Sequence, residues 1–198
     1  MSASDQALPS GRHGLPRELV VEHQRGRLIR AMVEAVAERG YADTTVAEVV
    51  ALASVSRKTF YDSFADKEEC YRAAYEASFE FLREGMSGAG GEAGAAPVPA
   101  RLGALLEGLA ASPQLAAFFL ISPLGVGAAV AARHHEALQE LVGILIAAAP
   151  EPVEDAEGAQ AFAGALSRLA TMKVDPGSAE DIPALLPDLL ELFRIMVR

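Results

Sequence analysis

Apolar residues recur at intervals of three and four along almost the whole chain, which is the spacing that puts them on one face of a helix. No run of alternating β-branched residues bounded by hairpin turns interrupts this pattern. The pattern predicts an all-α fold. A first helix is expected from about Glu22 to Arg39, and Gly40 supplies the left-handed residue that commonly follows a helix C-terminus.

Two capping signals divide the chain after this helix. Thr45 and Glu48 form a capping box that begins a short second helix, and Asp66 with Glu69 repeats the pattern before a longer one. The longer helix is expected to end near Gly85, because residues 85–100 are rich in Gly, Ala and Pro and are interpreted as a flexible connector. Proline and acidic turns then separate predicted helices at about 101–111, 114–121, 125–148, 155–173 and 179–197.

Two short helices joined by a turn at residues 53–56 are predicted within the segment TVAEVVALASVSRKTFYDSF, residues 45–64. This is helix-turn-helix spacing. Val46, Val49 and Val50 are expected to face the first helix, Val55 plugs the turn, and Phe60 and Phe64 anchor the second short helix from below. The opposite face then points outward with Arg57, Lys58, Tyr61, Asp62 and Ser63. Since Arg and Lys can pair with guanine O6 and N7, this face suits the major groove of DNA.

The segment from about Arg25 to Tyr75, with RGYADTTVAEVVALASVSRKTFYDSFADKEECY at its centre, resembles the DNA-binding domain of the TetR/AcrR family of bacterial transcriptional regulators. The positions in family register are Gly40-Tyr41, Thr45-Val46, Val55-Ser56, Thr59-Phe60-Tyr61, Phe64 and Lys67-Glu68. The remaining helices agree with the family's regulatory domain in number and order. The expected division is an N-terminal arm at 1–20, a three-helix helix-turn-helix domain at 21–66, and a larger helical ligand-binding and dimerisation domain at 67–198.

The resemblance also implies roles for individual residues. Thr45 and Tyr61 would contact phosphates, while Lys67, at a helix start, would touch the DNA backbone. Base edges would be reached by Arg57, Lys58 and Thr59, and Ser56 belongs to the same DNA-binding set. The sequence departs from the family in two respects: Ser54 stands where glycine is usual in the turn, and Asp62-Ser63 replaces the common aromatic or His residues. Asp62 either reads a cytosine amino group or only caps and repels.

The charge of the chain restricts how it meets DNA. Its 17 Lys and Arg residues against 27 Asp and Glu give a net charge of −10, which argues against a general polyanion binder. Any DNA contact must therefore come from a local patch. Residues 12–30 hold five arginines and two glutamates, a net charge of +3, and this stretch either follows the minor groove or backbone or is simply solvated.

The last predicted helix carries an apolar stripe too wide to pack on one side only. Small residues on the preceding helix would let a second copy approach closely, so a two-fold four-helix interface is expected, and the resemblance implies the same homodimer. Two recognition helices on that axis would read a palindromic operator. A thicker core within one chain is the alternative. The expected interface residues are Phe162, Ala165, Leu166, Leu169, Leu186, Leu189, Leu190 and Phe193.

Regulators of this family usually bind a small apolar ligand inside the second domain. Ligand binding then moves apart the two DNA-binding domains of the dimer, one reading head from each subunit. The residues that would contact such an effector here are Phe79, Leu82, Phe118, Phe119, Arg133, His134, Leu138 and Phe162. Core packing is the alternative for each apolar member. The polar cluster Arg133-His134-His135 could hold a carboxylate or phosphate of the effector or could lie on the surface. A metal site there is disfavoured, because adjacent helical residues diverge by about 100°.

Other classes of protein are disfavoured by the residues present. The single Cys70 cannot form an internal disulfide, and four His with one Cys are too few for a structural zinc site, which fits an intracellular, cytoplasmic location. No secretory signal is evident, and the uncharged run 108–132 is interrupted by proline and glycine, which favours buried helices over a membrane span. Neither a catalytic set nor a cofactor motif stands out. The function expected is a ligand-responsive DNA-binding regulator, and the alternative is a helical binding module that has lost operator binding.

Overall fold

The computed structural model describes residues 17–88, 96–151, 153, 155–174 and 178–197. Within these residues every regular element is helical, as the apolar spacing predicts, and no strand occurs. The α-helices are α1 (Arg17–Arg39), α2 (Val46–Leu52), α3 (Arg57–Ser63), α4 (Lys67–Gly88), α5 (Val98–Ala110), α6 (Pro113–Leu120), α7 (Ala128–Ile146), α8 (Ala156–Val174) and α9 (Leu186–Met196). Two 3-10 segments, Ser122–Gly125 and Ala179–Leu185, lie before α7 and α9.

Helices α1, α2 and α3 pack into a small N-terminal unit around fully buried apolar side chains. Leu28 and Met32 of α1 meet Val49 of α2 and Phe60 of α3 there, each 0% exposed. Gly40 takes φ +79°, so it ends α1 in the left-handed conformation that the sequence predicts. The three-helix packing fixes the direction in which the outer face of α3 points.

Helix α4 connects this unit to helices α5–α9. It packs against α1 at one end and against α5, α6 and α7 along its length, while α1 also packs on α6. The buried side chains of both halves therefore form one continuous core rather than two separate ones. Helix α6 packs directly on α1, whereas α7 is connected to α1 through α4.

The predicted helix boundaries agree with the structure to within three residues in most places, but α1 begins at Arg17, five residues before the expected Glu22 and within the expected arm, and the last predicted helix is divided. Helix α4 continues past Gly85 to Gly88, because Met86 is fully buried and the last turn packs on the core. The single helix predicted over 179–197 is divided into a 3-10 segment and α9. Pro183 lacks the N–H needed to continue an α-helix, and Pro187 is tolerated only in the first turn of α9.

The proposed arm and connector fall largely outside the described residues. Residues 1–16 and 89–95 are not described, whereas 85–88 belong to α4 and 98–100 to α5. Among the described helices none is long and apolar enough alone to cross a membrane. Helices α5 and α6 meet that test only as a pair bent by 106°, and both bury apolar residues in the protein core.

Candidate nucleic-acid interface

The recognition helix α3 is held in place by its apolar underside. Phe60 is 0% exposed and Phe64 is 2% exposed, and their rings lie 5.8 Å apart between centroids. The guanidinium of Arg25 stacks over the Phe64 ring at 4.3 Å from its centroid. Two buried aromatic side chains one turn apart therefore fix the rotation of this seven-residue helix about its own axis.

The turn between α2 and α3 closes through a Schellman motif. The N–H of Val55 donates to the carbonyl of Val50 at 3.0 Å, and the N–H of Ser54 donates to that of Ala51 at 3.1 Å. Ser54 takes φ +49°, the left-handed region in which glycine is favoured. The departure from the family pattern noted in the sequence therefore falls on the residue whose backbone most needs glycine.

Both helices of the motif have polar N-caps. Thr45 and Glu48 make the predicted capping box, with the Glu48 N–H donating to Thr45 Oγ1 at 3.3 Å and the Thr45 N–H donating to Glu48 Oε2 at 2.8 Å. The hydrogen bonds that Glu48 Oε2 accepts from the Thr45 N–H and from the Thr45 hydroxyl, at 2.8 and 3.0 Å, lower the pKa of Glu48. Ser56 caps α3 by accepting from the Thr59 N–H at 3.0 Å, and its hydroxyl lies 2.9 Å from Thr59 Oγ1. The two caps place Thr45 and Ser56 on the exposed surface.

The outer face of α3 is exposed, as predicted for Arg57, Lys58, Tyr61 and Asp62. Tyr61 is the aromatic member of this face and is 58% exposed. Lys58 Nζ lies 2.7 Å from Asp62 Oδ2, one turn further along. Arg57, in contrast, makes no hydrogen bond or ion pair with the described residues, so it is the unpaired cation of the helix. Ser63 differs from the expectation, because it is half-buried and donates to the carbonyl of Thr59.

Lys67 stands at the first position of α4 and is already engaged within the chain. Its ammonium donates to the carbonyls of Tyr41 and Thr44, both at 2.8 Å, and lies 4.1 Å from the centroid of the Tyr41 ring. These contacts tie the turn between α1 and α2 to the start of α4. An ammonium carries three N–H donors, and two of them are used in these hydrogen bonds.

Two arginines of α1 brace the motif in a way that the sequence did not predict. Arg25 donates to the carbonyl of Ser63, the last residue of α3, at 3.2 Å, and Arg27 donates to the carbonyl of Ser54 at 3.4 Å. A cation at a helix C-terminus is favourable because it satisfies a free carbonyl and meets the negative end of the dipole. In the sequence both arginines belong to the basic stretch at residues 12–30. No local sequence pattern indicates that α1 crosses α3.

The residues predicted to bind an effector are mostly in the core. The buried members are Phe79, Leu82, Phe118, Phe119, His134, Leu138 and Phe162. His134 is hydrogen-bonded through Nδ1 to the hydroxyl of Tyr75 at 2.8 Å, and the Tyr75 ring stacks on Phe119 at 5.3 Å between centroids. Burial lowers the pKa of His134 to about 4 and raises that of Tyr75, so both side chains are neutral near pH 7.

The polar cluster at residues 133–135 does not converge on one point. Arg133 pairs with both oxygens of Glu76 at 2.8 and 2.9 Å and with Glu140 at 2.9 Å, whereas His135 is exposed beside Gln139. His134 turns inward. Two carboxylates already neutralise the guanidinium, so the cluster has little capacity for an anionic group while these pairs hold.

Two sizeable grooves lie elsewhere on the described residues. One, of about 660 Å³, runs between α1, α4 and α6, with Val33, Phe81 and Leu115 among its lining residues. The other, of about 480 Å³, lies beside α9 and includes Val98, Leu190 and Phe193. Neither is lined by a residue predicted to bind the effector. Within the described chain, no three His, Cys, Asp or Glu side chains gather closely enough to hold a metal ion.

The predicted dimer residues divide into two sets by burial. Four of them lie inside the chain, where the Phe162 and Phe193 rings meet at 5.2 Å between centroids; they are Phe162, Leu166, Leu189 and Phe193. The other four are partly exposed: Ala165, Leu169, Leu186 and Leu190. Part of the wide apolar stripe therefore covers the core of its own chain, and part faces outward.

Comparisons with known proteins agree with this geometry. Residues 28–74 match the family model described as bacterial regulatory proteins, tetR family. No curated protein sequence matches the chain. Among solved structures, the fatty acid degradation regulator FadR from Bacillus halodurans is similar with a TM-score of 0.69 and 22% identity, over 84% of this chain and 96% of that one.

Two further structures have the same architecture. FadR from Bacillus subtilis, in complex with stearoyl-CoA, matches with a TM-score of 0.58 and 20% identity, over 84% of this chain and 96% of that one. A TetR-family transcriptional regulator from Streptomyces coelicolor matches with a TM-score of 0.60 and 21% identity, over 86% and 97%. At such identities the likeness shows the fold. Residues 28–74 are therefore similar to the tetR family of bacterial regulatory proteins, and the chain shares the fold of these solved regulators.

Proposed function

We propose that this chain is a sequence-specific transcriptional regulator that binds a palindromic operator as a homodimer and acts as a repressor released by a small ligand. The observation that supports it best is the exposed outer face of α3, which carries Arg57, Lys58 and Tyr61 above two buried phenylalanines. A short helix fixed from below and cationic above is suited to the major groove. The helix N-termini capped by Thr45 and Ser56 would meet phosphates.

The experiment for this proposal is fluorescence anisotropy of the full chain on operator DNA, obtained by selection from random duplexes, beside a scrambled duplex. Because base contacts discriminate between sequences, Arg57→Ala or Lys58→Ala is expected to cost about 1–3 kcal/mol of discrimination. Arg83→Ala is the matched control, since Arg83 is a half-buried arginine of α4 paired with Glu80. If a substitution lowers the affinity equally for every duplex, the proposal that Arg57 and Lys58 contact bases is rejected.

Lys67 has a different proposed role. It would contact a phosphate with its remaining N–H, so Lys67→Ala is expected to weaken binding on all sequences alike and to reduce the salt slope by about 1. The same substitution removes the contacts to Tyr41 and Thr44, so the melting temperature is measured alongside. Loss confined to the operator would contradict the phosphate role.

The proposed dimer would form through the outer face of α8 and neighbouring residues of α9. Ala161 and Gly164 are exposed on α8, and nothing lies within 4 Å of the position a Cβ would take at Gly164. Met172 adds a side chain that is 53% exposed, and Leu169 lies beside it, partly exposed. A helix face of small and apolar residues permits close packing of two copies across a two-fold axis.

Sedimentation velocity tests this interface. Ala161→Glu combined with Gly164→Glu is expected to give monomers, because four carboxylates would meet across the two-fold axis without partners. Ala132→Glu, at an exposed position on α7, is the control and is expected to leave the dimer intact. A dimer that survives the double substitution would reject this surface.

The effector is proposed to be a small, mostly apolar molecule bound among the aromatic residues around Tyr75, Phe119 and His134. The Bacillus subtilis neighbour was solved with stearoyl-CoA, so acyl-CoA thioesters, whose acyl chain is the part that would lie among these aromatic residues, are the first compounds to assay. A ligand that binds only the folded chain raises its melting temperature, and an effector must also weaken DNA binding. Acyl-CoA that changes neither quantity would exclude this class of effector.

A further inference from the structure

The Lys58 and Asp62 side chains of α3 form an ion pair on the surface proposed to read DNA. Lys58 Nζ lies 2.7 Å from Asp62 Oδ2, and the two side chains are 83% and 61% exposed. Such exposed pairs one helical turn apart contribute little to folding stability, and less in this order, with the cation nearer the N-terminus. The pair is therefore not needed to hold α3 together.

A carboxylate at position 62 is unfavourable in two respects. It lies in the last turn of α3, next to the negative end of the helix dipole. It also stands on the face proposed to approach DNA, where phosphates repel it. Its hydrogen-bond and ion-pair partner is Lys58, and it makes no contact with the protein core. In the free protein, the unfavourable position of the Asp62 carboxylate in the helix dipole is therefore offset only by its ion pair with Lys58.

We propose that Lys58 and Asp62 read the operator as one unit, with Asp62 accepting from the N4 amino group of a cytosine while Lys58 donates to the O6 or N7 of a nearby guanine. Both contacts are chemically matched in the major groove, since cytosine presents a donor and guanine presents acceptors. Away from the operator, the carboxylate holds the ammonium and keeps it from phosphates of unrelated DNA. This inference rests on the proposed function.

The spacing of the two residues fits the repeat of DNA. Four residues advance about 6 Å along an α-helix, and successive base pairs are about 3.4 Å apart. Lys58 and Asp62 therefore suit bases one or two steps apart. Arg57, which has no partner in the described chain, supplies a cation that is free to bind in either setting. The pair therefore adds discrimination to that supplied by Arg57.

Selection from random duplex DNA with the full chain tests the reading role. The native chain is expected to select a cytosine at one position of each half-site, with a guanine one or two steps away. Asp62→Asn is expected to change that cytosine to adenine, because an amide pairs with adenine N6 and N7. Glu38→Gln removes the same charge from an exposed position on α1 and is expected to select the native site.

The role of Asp62 in keeping the Lys58 ammonium from phosphates of unrelated DNA is tested by the salt dependence of binding to a duplex that lacks the selected site. Asp62→Asn frees the ammonium for a phosphate, so the slope of log K against log salt is expected to steepen by about 0.9 per reading head. The double variant Lys58→Ala with Asp62→Asn is expected to lose that increase. If Asp62→Asn selects the same DNA sequence and has the same salt slope as the native chain, as Glu38→Gln is expected to do, the inference is overturned. The proposed function would stand in that case. If the native chain selects no DNA sequence at all, the proposed function is overturned as well.

Discussion

Ser54 is the residue at which the backbone geometry and the side chain disagree most. Its φ of +49° completes the Schellman turn between α2 and α3, yet an L-residue is strained in that region. The Arg27 guanidinium contacts its main-chain carbonyl at 3.4 Å, so the side chain is not needed for that contact. The turn depends on the conformation of residue 54 and not on its hydroxyl.

Ser54→Gly is therefore expected to raise the free energy of unfolding by about 1 kcal/mol, because glycine removes the strain of the left-handed conformation. Urea denaturation measures the change. Ala77→Gly, at an exposed position within α4, is the control and is expected to lower stability by about 1 kcal/mol. If both substitutions destabilise equally, Ser54 is not strained.

His134 makes folding depend on pH. Burial lowers its pKa in the folded chain to about 4 from an ordinary 6.5, so between these values the unfolded chain binds more protons. Stability contributed by the neutral imidazole is present above pH 6.5 and is lost as the pH falls toward 4. The expected loss is roughly 2–3 kcal/mol.

Urea denaturation at pH 7 and pH 5 measures this effect. His134→Asn removes the titrating ring, so the variant is expected to be less stable at pH 7 but less sensitive to acid. Gln139→Asn, at an exposed and non-titrating position on α7, is the control and is expected to leave the pH dependence unchanged. An identical pH dependence in all three proteins would show that His134 is not buried as the structure places it.

At the scale of elements, the start of α8 and the end of α9 meet at a glycine. A Cβ on Gly158 would overlap the carbonyl oxygen of Met196 and lie 2.7 Å from Asp155 Oδ2. Asp155 caps α8 by accepting from the Gly158 N–H at 2.7 Å. The carbonyl end of α9 thus approaches the amino end of α8, which is a favourable arrangement of the two helix dipoles.

Gly158→Ala is expected to destabilise the protein by about 2–3 kcal/mol, since main-chain atoms of α9 would have to move. Gly143→Ala is the matched control on α7, where nothing lies within 4 Å of the added Cβ. That substitution is expected to be neutral or to stabilise by up to about 1 kcal/mol, through helix propensity. Thermal unfolding compares the two variants, and equal melting temperatures would contradict the close contact.

The sequence predicted most elements because their signals are local. The capping box at Thr45, the left-handed Gly40 and the anchors Phe60 and Phe64 each act within a few residues, and all are confirmed. The split before α9 was missed because the leucine spacing continues across Pro183, whose missing N–H breaks the helix but not the pattern.

Contacts between distant elements could not be predicted in the same way. The bracing of α3 by Arg25, the anchoring of Lys67 and the divergence of Arg133 from His134 depend on how helices cross. The outer face of α3 was predictable because rotation about its axis is fixed by two phenylalanines within the same short helix. Burial on α8 and α9 was not, because an apolar stripe does not say which of its members face the core.

For the whole molecule, α4 is the element that joins the N-terminal three-helix unit to the remaining helices. Near its N-terminus the Tyr71 ring meets Tyr41 at 5.2 Å, and the Tyr71 hydroxyl lies 2.8 Å from Ser122 Oγ between α6 and α7. Burial raises the pKa of Tyr71 to about 12, so this hydroxyl stays neutral. One turn further, Tyr75 meets His134. Side chains of α4 thus contact both the turn before α2 and the helices that would surround an effector.

The central claim is that the exposed face of α3 reads a specific DNA sequence, and one measurement tests it most directly. Fluorescence anisotropy across a salt series compares the native chain and Arg57→Ala on the selected duplex and on a scrambled one. The native chain is expected to bind the selected duplex tightly and selectively, with a steep salt slope, and Arg57→Ala is expected to lose that selectivity. Weak binding by the native chain, equal on both duplexes at every salt concentration, would contradict it.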